Sequence, residues 1–329
     1  TPVAVFAGRI MVTPAYFLGV VYAGRPYAPI DASLPDKRIE KILENLCPRA
    51  IVADRESLEH VESIVDELAK AEGFDRPQIF IAQDISRFEQ VAGCVGKTDD
   101  SSLDMLAAVR RQMSMTDPLY IIYTSGSTGN PKGVMTSHLS LMTYINAYCD
   151  VMHIEESDVL GNQSPLDYIA AIRDIYQPLK TGCSTAIIPK EYFMEPNALF
   201  DYMNDKKVSS VGWSVSAFTI LTSLGAFEEV GLKSLRKICF SGSVMPCRVL
   251  RKWQENLPEA HFVNQYGPTE ATAACTYYSV DHTVEDDEVL PIGKAYDNYR
   301  VFLIDEHGNE PAVGEQGEIC VCGPILALR

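Results

Sequence analysis

The run Tyr120–Val134, YIIYTSGSTGNPKGV, passes from an apolar strand-like stretch to a loop with the means to bind an anion. Leu119–Tyr123 is uncharged and made of strand formers, suited to a buried strand. The ten residues after it hold three glycines, four Ser or Thr and a proline, a composition that reads as neither helix nor strand. Glycines such as Gly126 and Gly129 let the backbone approach a ligand closely. The hydroxyls of Thr124, Ser125, Ser127 and Thr128, with the amides beside them, can donate to phosphate oxygens, and Lys132 adds a positive charge. A flexible linker rarely follows a strand so abruptly and ends in Pro-Lys-Gly. No glycine stands immediately before Lys132 and no Ser or Thr follows it, so the stretch reads as a phosphate loop outside the nucleotide P-loop class.

The elements around this loop must position it, and the chain is long enough to do so. Its 329 residues can bury a sizeable core in more than one subdomain. The 47% apolar and 22% charged content is that of a globular protein. A net charge of -16, from 28 basic and 44 acidic residues, argues against a broad nucleic-acid or anionic-membrane surface and leaves room for a local basic pocket. Nine cysteines are scattered, and the one close pair, Cys320 and Cys322, is short of any zinc or redox pattern. Alternation in EICVCG puts both thiols on one strand face, where they read as small buried hydrophobes in a reducing cytosol. No run reaches membrane-spanning length and no signal peptide is visible.

Pro14 to about Tyr22 reads as an amphipathic helix broken at Gly24, and LPDKRIEKILENL as a helix with Pro35 near its first turn. RAIVA and QIFIA read as short buried strands separated by helical periodicity over Glu56–Glu72, an order that suggests a parallel α/β sheet. Asp84–Thr116 is polar and weakly patterned and reads as a surface excursion. After the phosphate loop, a helix near Leu139–Tyr148 leads into a second alternation. STAIIP, SVGWSV, KICFSG and AHFVNQYG are its strands, with PNALFDYMNDKKV, Ala217–Leu224 and CRVLRKWQENL as helices. YRVFLIDEHGNE and GEICVCG read as antiparallel strands joined at His307-Gly308-Asn309.

Three motifs in order, YTSGSTGNPKG, NQYGPTE (Asn264–Glu270) and GEQGEICVCGPILALR (Gly314–Arg329), resemble the adenylate-forming superfamily of acyl-CoA synthetases, luciferases and adenylation domains. YAGRPYAPID and IGKAYDNYRVFLID narrow the resemblance to the amino-acid-activating branch, as in nonribosomal peptide synthetases and D-alanine carrier-protein ligases. The resemblance implies an α/β fold with a layered αβαβα core of two similar subdomains, mostly parallel sheets and a small β-barrel-like C-terminal portion. The expected subdivisions are residues 1–117, residues 118–280 with the ATP loop and acid pocket, and residues 281–329. It also implies that the chain is a large N-terminal core, with a family segment before Thr1 and a mobile C-terminal lid domain lying outside it.

By the same resemblance the activity is attack of a carboxylate on the α-phosphorus of ATP, followed by transfer of the acyl group to a pantetheine thiol. The acceptor is a phosphopantetheinyl carrier protein or coenzyme A; the other reading is a non-catalytic ligand-binding core. Thr124, Ser125, Gly126, Ser127, Thr128, Gly129 and Lys132 would wrap the β- and γ-phosphates. Asn264, Tyr266 and Gly267 would hold adenine, Thr269 the α-phosphate, and Glu270 a Mg²⁺ ion, which prefers carboxylate oxygen. An isolated NQYGPTE would also fit a plain turn whose Glu270 caps the next helix. His138 stands where many members carry a ring beside the reacting carboxylate, and it also suits a structural histidine.

The amino-acid branch places an aspartate at the start of a pocket helix to pair with the substrate's α-ammonium group. Aligned without gaps, that position is Ile169; a two-residue slip would substitute Asp167 but requires an insertion. An isoleucine cannot pair with an ammonium, so the acid is expected to lack an α-amine. The resemblance places Ala170, Arg173, Gly212, Cys239, Ser241, Gly242, Gln265, Ala273 and Ala274 around the same pocket. Several are small, which reads as a roomy pocket. Arg173 and Gln265 suit a polar or anionic tail on the acid, while Arg173 also suits an ion pair with Asp167 or Asp174, or a solvated position.

Overall fold

The computed structural model describes residues 1–6, 8–82, 100–125 and 130–328. They form two units: residues Thr1–His138 with Leu166–Tyr168 and Ala327–Arg329, and residues Leu139–Pro165 with Ile169–Leu326.

In the first unit, strands β1 (Val3–Phe6), β2 (Tyr27–Ile30), β3 (Ala50–Ala53), β4 (Gln78–Ile81), β5 (Pro118–Ser125) and β6 (Pro131–Ser137) form one sheet in the order β4-β3-β1-β2-β5-β6. β4, β3, β1, β2 and β5 pair in parallel and β6 runs antiparallel to β5. The central strands VAVF, YAPI and AIVA are continuous apolar runs, as expected of parallel strands covered on both faces. Helices α1 (Thr13–Tyr22), α2 (Asp36–Leu46) and α3 (Leu58–Leu68) follow β1, β2 and β3. α2 buries Ile39, Ile42, Leu43 and Leu46, and α3 buries Val61, Ile64, Val65 and Leu68, each a single apolar stripe at helical spacing. Among the described residues QIFIA is an edge strand: Phe80 and Ile81 are exposed, so the expectation that it is buried fails because it has a described neighbour on one side only. Residues 84–116 also hold more than a polar excursion, since α4 (Asp100–Gln112) is a regular helix; residues 83–99 lie outside the described set.

The second unit begins within α5 (His138–Met152) and builds a sheet from β7 (Val159–Asn162), β8 (Ser184–Ile187), β9 (Ser210–Ser214), β10 (Lys237–Ser241), β11 (His261–Tyr266), β12 (Thr276–Val280) and β13 (Lys294–Ala295). The order is β13-β12-β11-β10-β9-β7-β8, with β8, β7, β9, β10 and β11 parallel and the last two strands antiparallel. Helices α6 (Ala171–Thr181), α7 (Pro196–Asp205), α8 (Val215–Ser223) and α9 (Cys247–Asn256) supply the crossovers that parallel strands require. Alternation along the strands sends Val211, Trp213, Ile238, Phe240 and Phe262 into one core with Phe200, Phe218 and Trp253. Trp253 meets the rings of Phe218 and Phe227 edge-on, 4.8 and 4.9 Å between centroids, and donates its indole N–H to Thr222 Oγ1 at 3.0 Å. The opposite face of the same strands carries Gly212, Cys239, Val263 and Gln265, and it is there that the polar chemistry lies.

The C-terminal stretch is simpler than a barrel. β14 (Arg300–Ile304) and β15 (Glu318–Cys322) form a two-stranded antiparallel sheet, and the long connection between them opens with a turn closed by Asp305 and Asn309. Two short strands cannot close on themselves. With one layer only, Cys320 is half-buried and Cys322 exposed, so neither is the buried hydrophobe that alternation suggested.

Trp253→Ala should therefore destabilise the second unit by about 3–5 kcal/mol, the usual cost of emptying a buried tryptophan site. Urea unfolding of the wild type and the variant reads this directly, and a loss under about 1 kcal/mol would mean that the ring cluster is not a packing centre.

Candidate functional site

In the first unit, β5 and β6 carry the phosphate-loop residues. Thr124 stands opposite Lys132, and Ser125 opposite Pro131, as the last described pairs of an antiparallel ladder. The expectation that no strand would tolerate this composition is thus corrected for Thr124, Ser125 and Pro131–Gly133: pairing with the strongly strand-forming β5 outweighs weak local propensity. Gly126, Ser127, Thr128 and Gly129 lie outside the described residues. Lys132 is exposed at the start of β6, and the Thr124 hydroxyl lies 3.5 Å from the Lys132 carbonyl. Nearby, Lys41 of α2 donates to Asn130 Oδ1 at 3.0 Å. His138 opens α5, its backbone N–H bonded to the Asp117 carbonyl at 3.2 Å. Burial of its ring lowers its pKa below the ordinary histidine value, although Asp117 works the other way, so the ring is largely neutral at pH 7. Asp167 also belongs to this unit, where burial and then Asp31 push its carboxyl up and Arg38 works the other way.

In the second unit, the acid-pocket residues converge on Arg173. Its side chain is 2% exposed on the sheet face opposite the aromatic core. Nη2 donates to the Gly212 carbonyl at 2.8 Å, Nε to the Ala170 carbonyl at 3.3 Å, and Nη1 to Gln265 Oε1 at 3.3 Å and Cys239 Sγ at 3.7 Å. The guanidinium also sits 5.4 Å from the centre of the Tyr148 ring. Each acceptor is neutral. Burial opposes the charge, but the pKa of the group is raised, not lowered, so it stays a cation at neutral pH; Tyr144, Tyr148 and Cys239 contribute only at the high pH where they ionise, with Asp174 beside them. Burial pushes the Cys239 thiol up to about 11 and the phenols of Tyr144 and Tyr148 higher still, so none of these three is an anion at neutral pH.

Arg173 is not solvated, and the Asp174 carboxylate, which favours the charge on the guanidinium, accepts from Asn162 Nδ2 at 2.8 Å. The space above the small residues is not vacant either. A Cβ on Gly212 would stand 3.0 Å from Arg173 Cζ and 3.1 Å from Tyr148 Oη, so glycine there admits the arginine. Gln265 is fixed from both ends, accepting from Arg173 and donating from Nε2 to Tyr296 Oη. Tyr144, Tyr148 and Tyr296 form an aromatic wall, with Tyr296 edge-on to Tyr144. The sequence reading missed this wall. The i,i+4 spacing of Tyr144 and Tyr148 was a usable signal, whereas Tyr296 reaches the site from a distant loop without one. Ile169 is buried just ahead of α6, and Ala274 is buried as well.

Beyond β11 the chain reverses. Tyr266 accepts from the Cys275 N–H at 2.8 Å and pairs with Thr276, closing a loop that includes a 3-10 turn at Thr269–Ala271. Thr272 and Ala273 take left-handed φ of 49° and 77°, unusual for residues with a Cβ. Gly267 is required by space: a Cβ there would come within 2.4 Å of Ala274 Cα. The Tyr266 ring is 40% exposed and free to stack, and Glu270 is exposed. Asn264 already donates from Nδ2 to the Pro291 carbonyl at 2.9 Å, which leaves its amide oxygen for a ligand. After β10, Ser241 leads into Gly242, at φ 95°, and the exposed Ser243.

Gly267→Ala should cost about 1–3 kcal/mol, because the added methyl meets backbone that cannot step aside. Gly231→Ala, where the Cβ meets nothing within 4 Å, serves as the control. Equal thermal midpoints for the two variants would show that the loop relaxes freely.

Residues 1–329 match the AMP-binding enzyme family. The chain is 30% identical over 314 residues to a D-alanine–D-alanyl carrier protein ligase of Bacillus velezensis, covering 94% of the chain and 57% of the relative. It is 31% identical over 315 residues to the Bacillus cereus protein of the same name, covering 95% and 58%. The chain thus spans a little over half the length of these curated relatives. Among solved structures, a nonribosomal peptide synthetase in its α-methyl-L-serine-AMP bound form shares the fold with a TM-score of 0.81 at 21% identity, over 99% of this chain and 34% of that one. A four-domain nonribosomal peptide synthetase bound to AMP and glycine gives 0.77 at 22% identity, over 99% and 22%. Matched along its whole length and at these identities, the chain belongs to the AMP-binding, adenylate-forming enzyme family.

Proposed function

We propose that the intact protein uses ATP to activate a carboxylic acid that carries no α-ammonium group, and passes the acyl group to the thiol of a phosphopantetheinyl carrier protein. The observation that carries this reading is the charge of the acid-pocket set. It contains a buried guanidinium and, with Ile169 at its head, no carboxylate. An ammonium placed there would be unpaired and would face a like charge. Membership of the family supplies the reaction class, and the named relatives that load carrier proteins support the acceptor.

In the first step a carboxylate oxygen bonds to the α-phosphorus of ATP while the bond from that phosphorus to the bridging oxygen breaks, releasing pyrophosphate. Two anions must meet, so the barrier falls with neutralisation of the phosphates. Lys132 and the hydroxyl of Thr124 serve the β- and γ-phosphates, and Thr269 serves the α-phosphate. Tyr266 stacks on adenine, with Asn264 reading its edge through the amide oxygen. If His138 meets the acid as the resemblance implies, its neutral ring adds no charge that would hold the carboxylate back. In the second step a thiol displaces AMP and forms the thioester.

The residues present suit a Mg²⁺ ion. Glu270 offers one exposed hard carboxylate, and among the described residues no set of three or more His, Cys, Asp or Glu could hold a metal alone. One carboxylate completed by phosphate oxygens and water is an ordinary magnesium arrangement. When bound, the ion would neutralise phosphate charge.

Two variants test these assignments. Glu270→Gln should weaken Mg²⁺-ATP binding about tenfold without loss of fold, as measured by calorimetry; unchanged affinity would remove Glu270 from the metal role. Ile169→Asp should shift acid-dependent pyrophosphate exchange toward α-amino acids. If its acid profile matched that of the wild type, Ile169 would not be the position that reads the α-substituent.

A further inference from the structure

We infer that the acid has a second anionic group, a distal carboxylate, and that Arg173 is the residue that selects it. This rests on the acid-activating reading above and narrows it to a substrate class, dicarboxylic acids without an α-amine.

The inference follows from how the guanidinium is held. A fully buried cation without a paired anion is costly, and neutral acceptors recover only part of the lost hydration. The two sides of the guanidinium differ. Nη2 is anchored at 2.8 Å to the Gly212 carbonyl, a fixed backbone group, and Nε is turned back to Ala170. Nη1 faces Gln265 Oε1 at 3.3 Å and Cys239 Sγ at 3.7 Å, one long contact to a neutral amide oxygen and one to a weakly accepting sulfur. A carboxylate oxygen would improve on both and would supply the missing charge. Gln265 can yield its place because Tyr296 Oη already takes its other end. The phenols and thiol nearby are all pushed above neutrality, so none of them supplies an anion. The Asp174 carboxylate favours the charge and also accepts from Asn162, and Arg173's own hydrogen bonds at 2.8–3.7 Å go to neutral atoms.

Arg173 and Tyr148 occupy the volume left open by Gly212. No atom of Arg173 takes part in bond making, and its role is to bind and discriminate.

The test is acid-dependent exchange of labelled pyrophosphate into ATP by the intact wild-type protein. The acids are three- to six-carbon dicarboxylic acids, each with its half-amide and its matched monocarboxylic acid, plus α-amino acids. One dicarboxylic acid should exceed its half-amide and monocarboxylic partner by tenfold or more in kcat/KM, chiefly through KM. Arg173→Met, of similar volume and no charge, should erase that preference, and Arg173→Lys should keep part of it, since the charge stays and the fork is lost. Preference of the wild type for the monocarboxylic acids would overturn the inference alone, and preference for the α-amino acids would overturn both it and the absence of an α-ammonium group, leaving acid activation itself standing. Unchanged selectivity in a folded Arg173→Met would also overturn the inference alone. If the wild-type protein binds ATP and exchanges with no acid at all, the acid-activating reading fails and this one with it. The wild-type series decides even if the methionine variant does not fold.

Discussion

A single desolvated positive charge organises the second unit. Arg173 lies on a sheet face where most proteins would place aliphatic side chains, and the rest of that face is arranged to admit it. Gly212 and Cys239 are side by side in register on β9 and β10, both small, so a planar group can lie flat over the strands. Glycine there also bares its carbonyl to the tightest of the arginine's hydrogen bonds. The phenol rings of α5 cover the other side, one of them placed for a cation–π contact. Removing any one of these supports leaves the charge buried with fewer partners, which is why the arrangement depends on all of them together.

The division of labour between the two faces of this sheet follows from strand alternation. One face sends Trp213, Phe240 and Phe262 into an aromatic core that fixes where the strands lie. The other holds the polar residues, and their spacing is set by that core although they take no part in it. Parallel strands also end at a common edge. The loops after β10 and β11 leave from it, and the close approach of Gly267 to Ala274 turns the chain from the parallel β11 into the antiparallel β12.

Much of this is readable from residue order, and the misreadings have identifiable causes. AIVA, SVGWS and KICFS are short apolar or small-residue runs bounded by turns or helices, and they are strands as expected. The α2 and α3 stripes are equally plain. PKGVMTS escaped notice because proline, lysine and glycine are poor strand formers, and only the partner β5 makes the segment a strand. QIFIA and EICVC are strands that leave several apolar residues exposed, among them Phe80, Ile81 and Ile319, because composition does not reveal how many neighbours a strand will have. The phosphate-loop and NQYGPTE motifs stand out in the sequence as contiguous words. The surroundings of Arg173 were not, since its partners come from α5, β9, β10, β11 and the loop after β13, separated by up to 92 residues in the hydrogen-bonded pairs.

That difference in legibility has a physical basis. The loops that would serve ATP must present backbone amides, hydroxyls and one carboxylate in fixed sequence, so their residue types are constrained next to one another along the chain. The residues that would read the acid sit on a sheet face, one or two to a strand, and are constrained only across strands. Under the proposed reaction, the first set could stay constant while the second changed, because Gly212, Cys239 and Gln265 point away from the aromatic core that holds the strands. A charge as costly to bury as Arg173 would persist on that face only if something recovers the cost. In this structure neutral acceptors recover part of it, and under the proposed reading an anionic ligand would recover more.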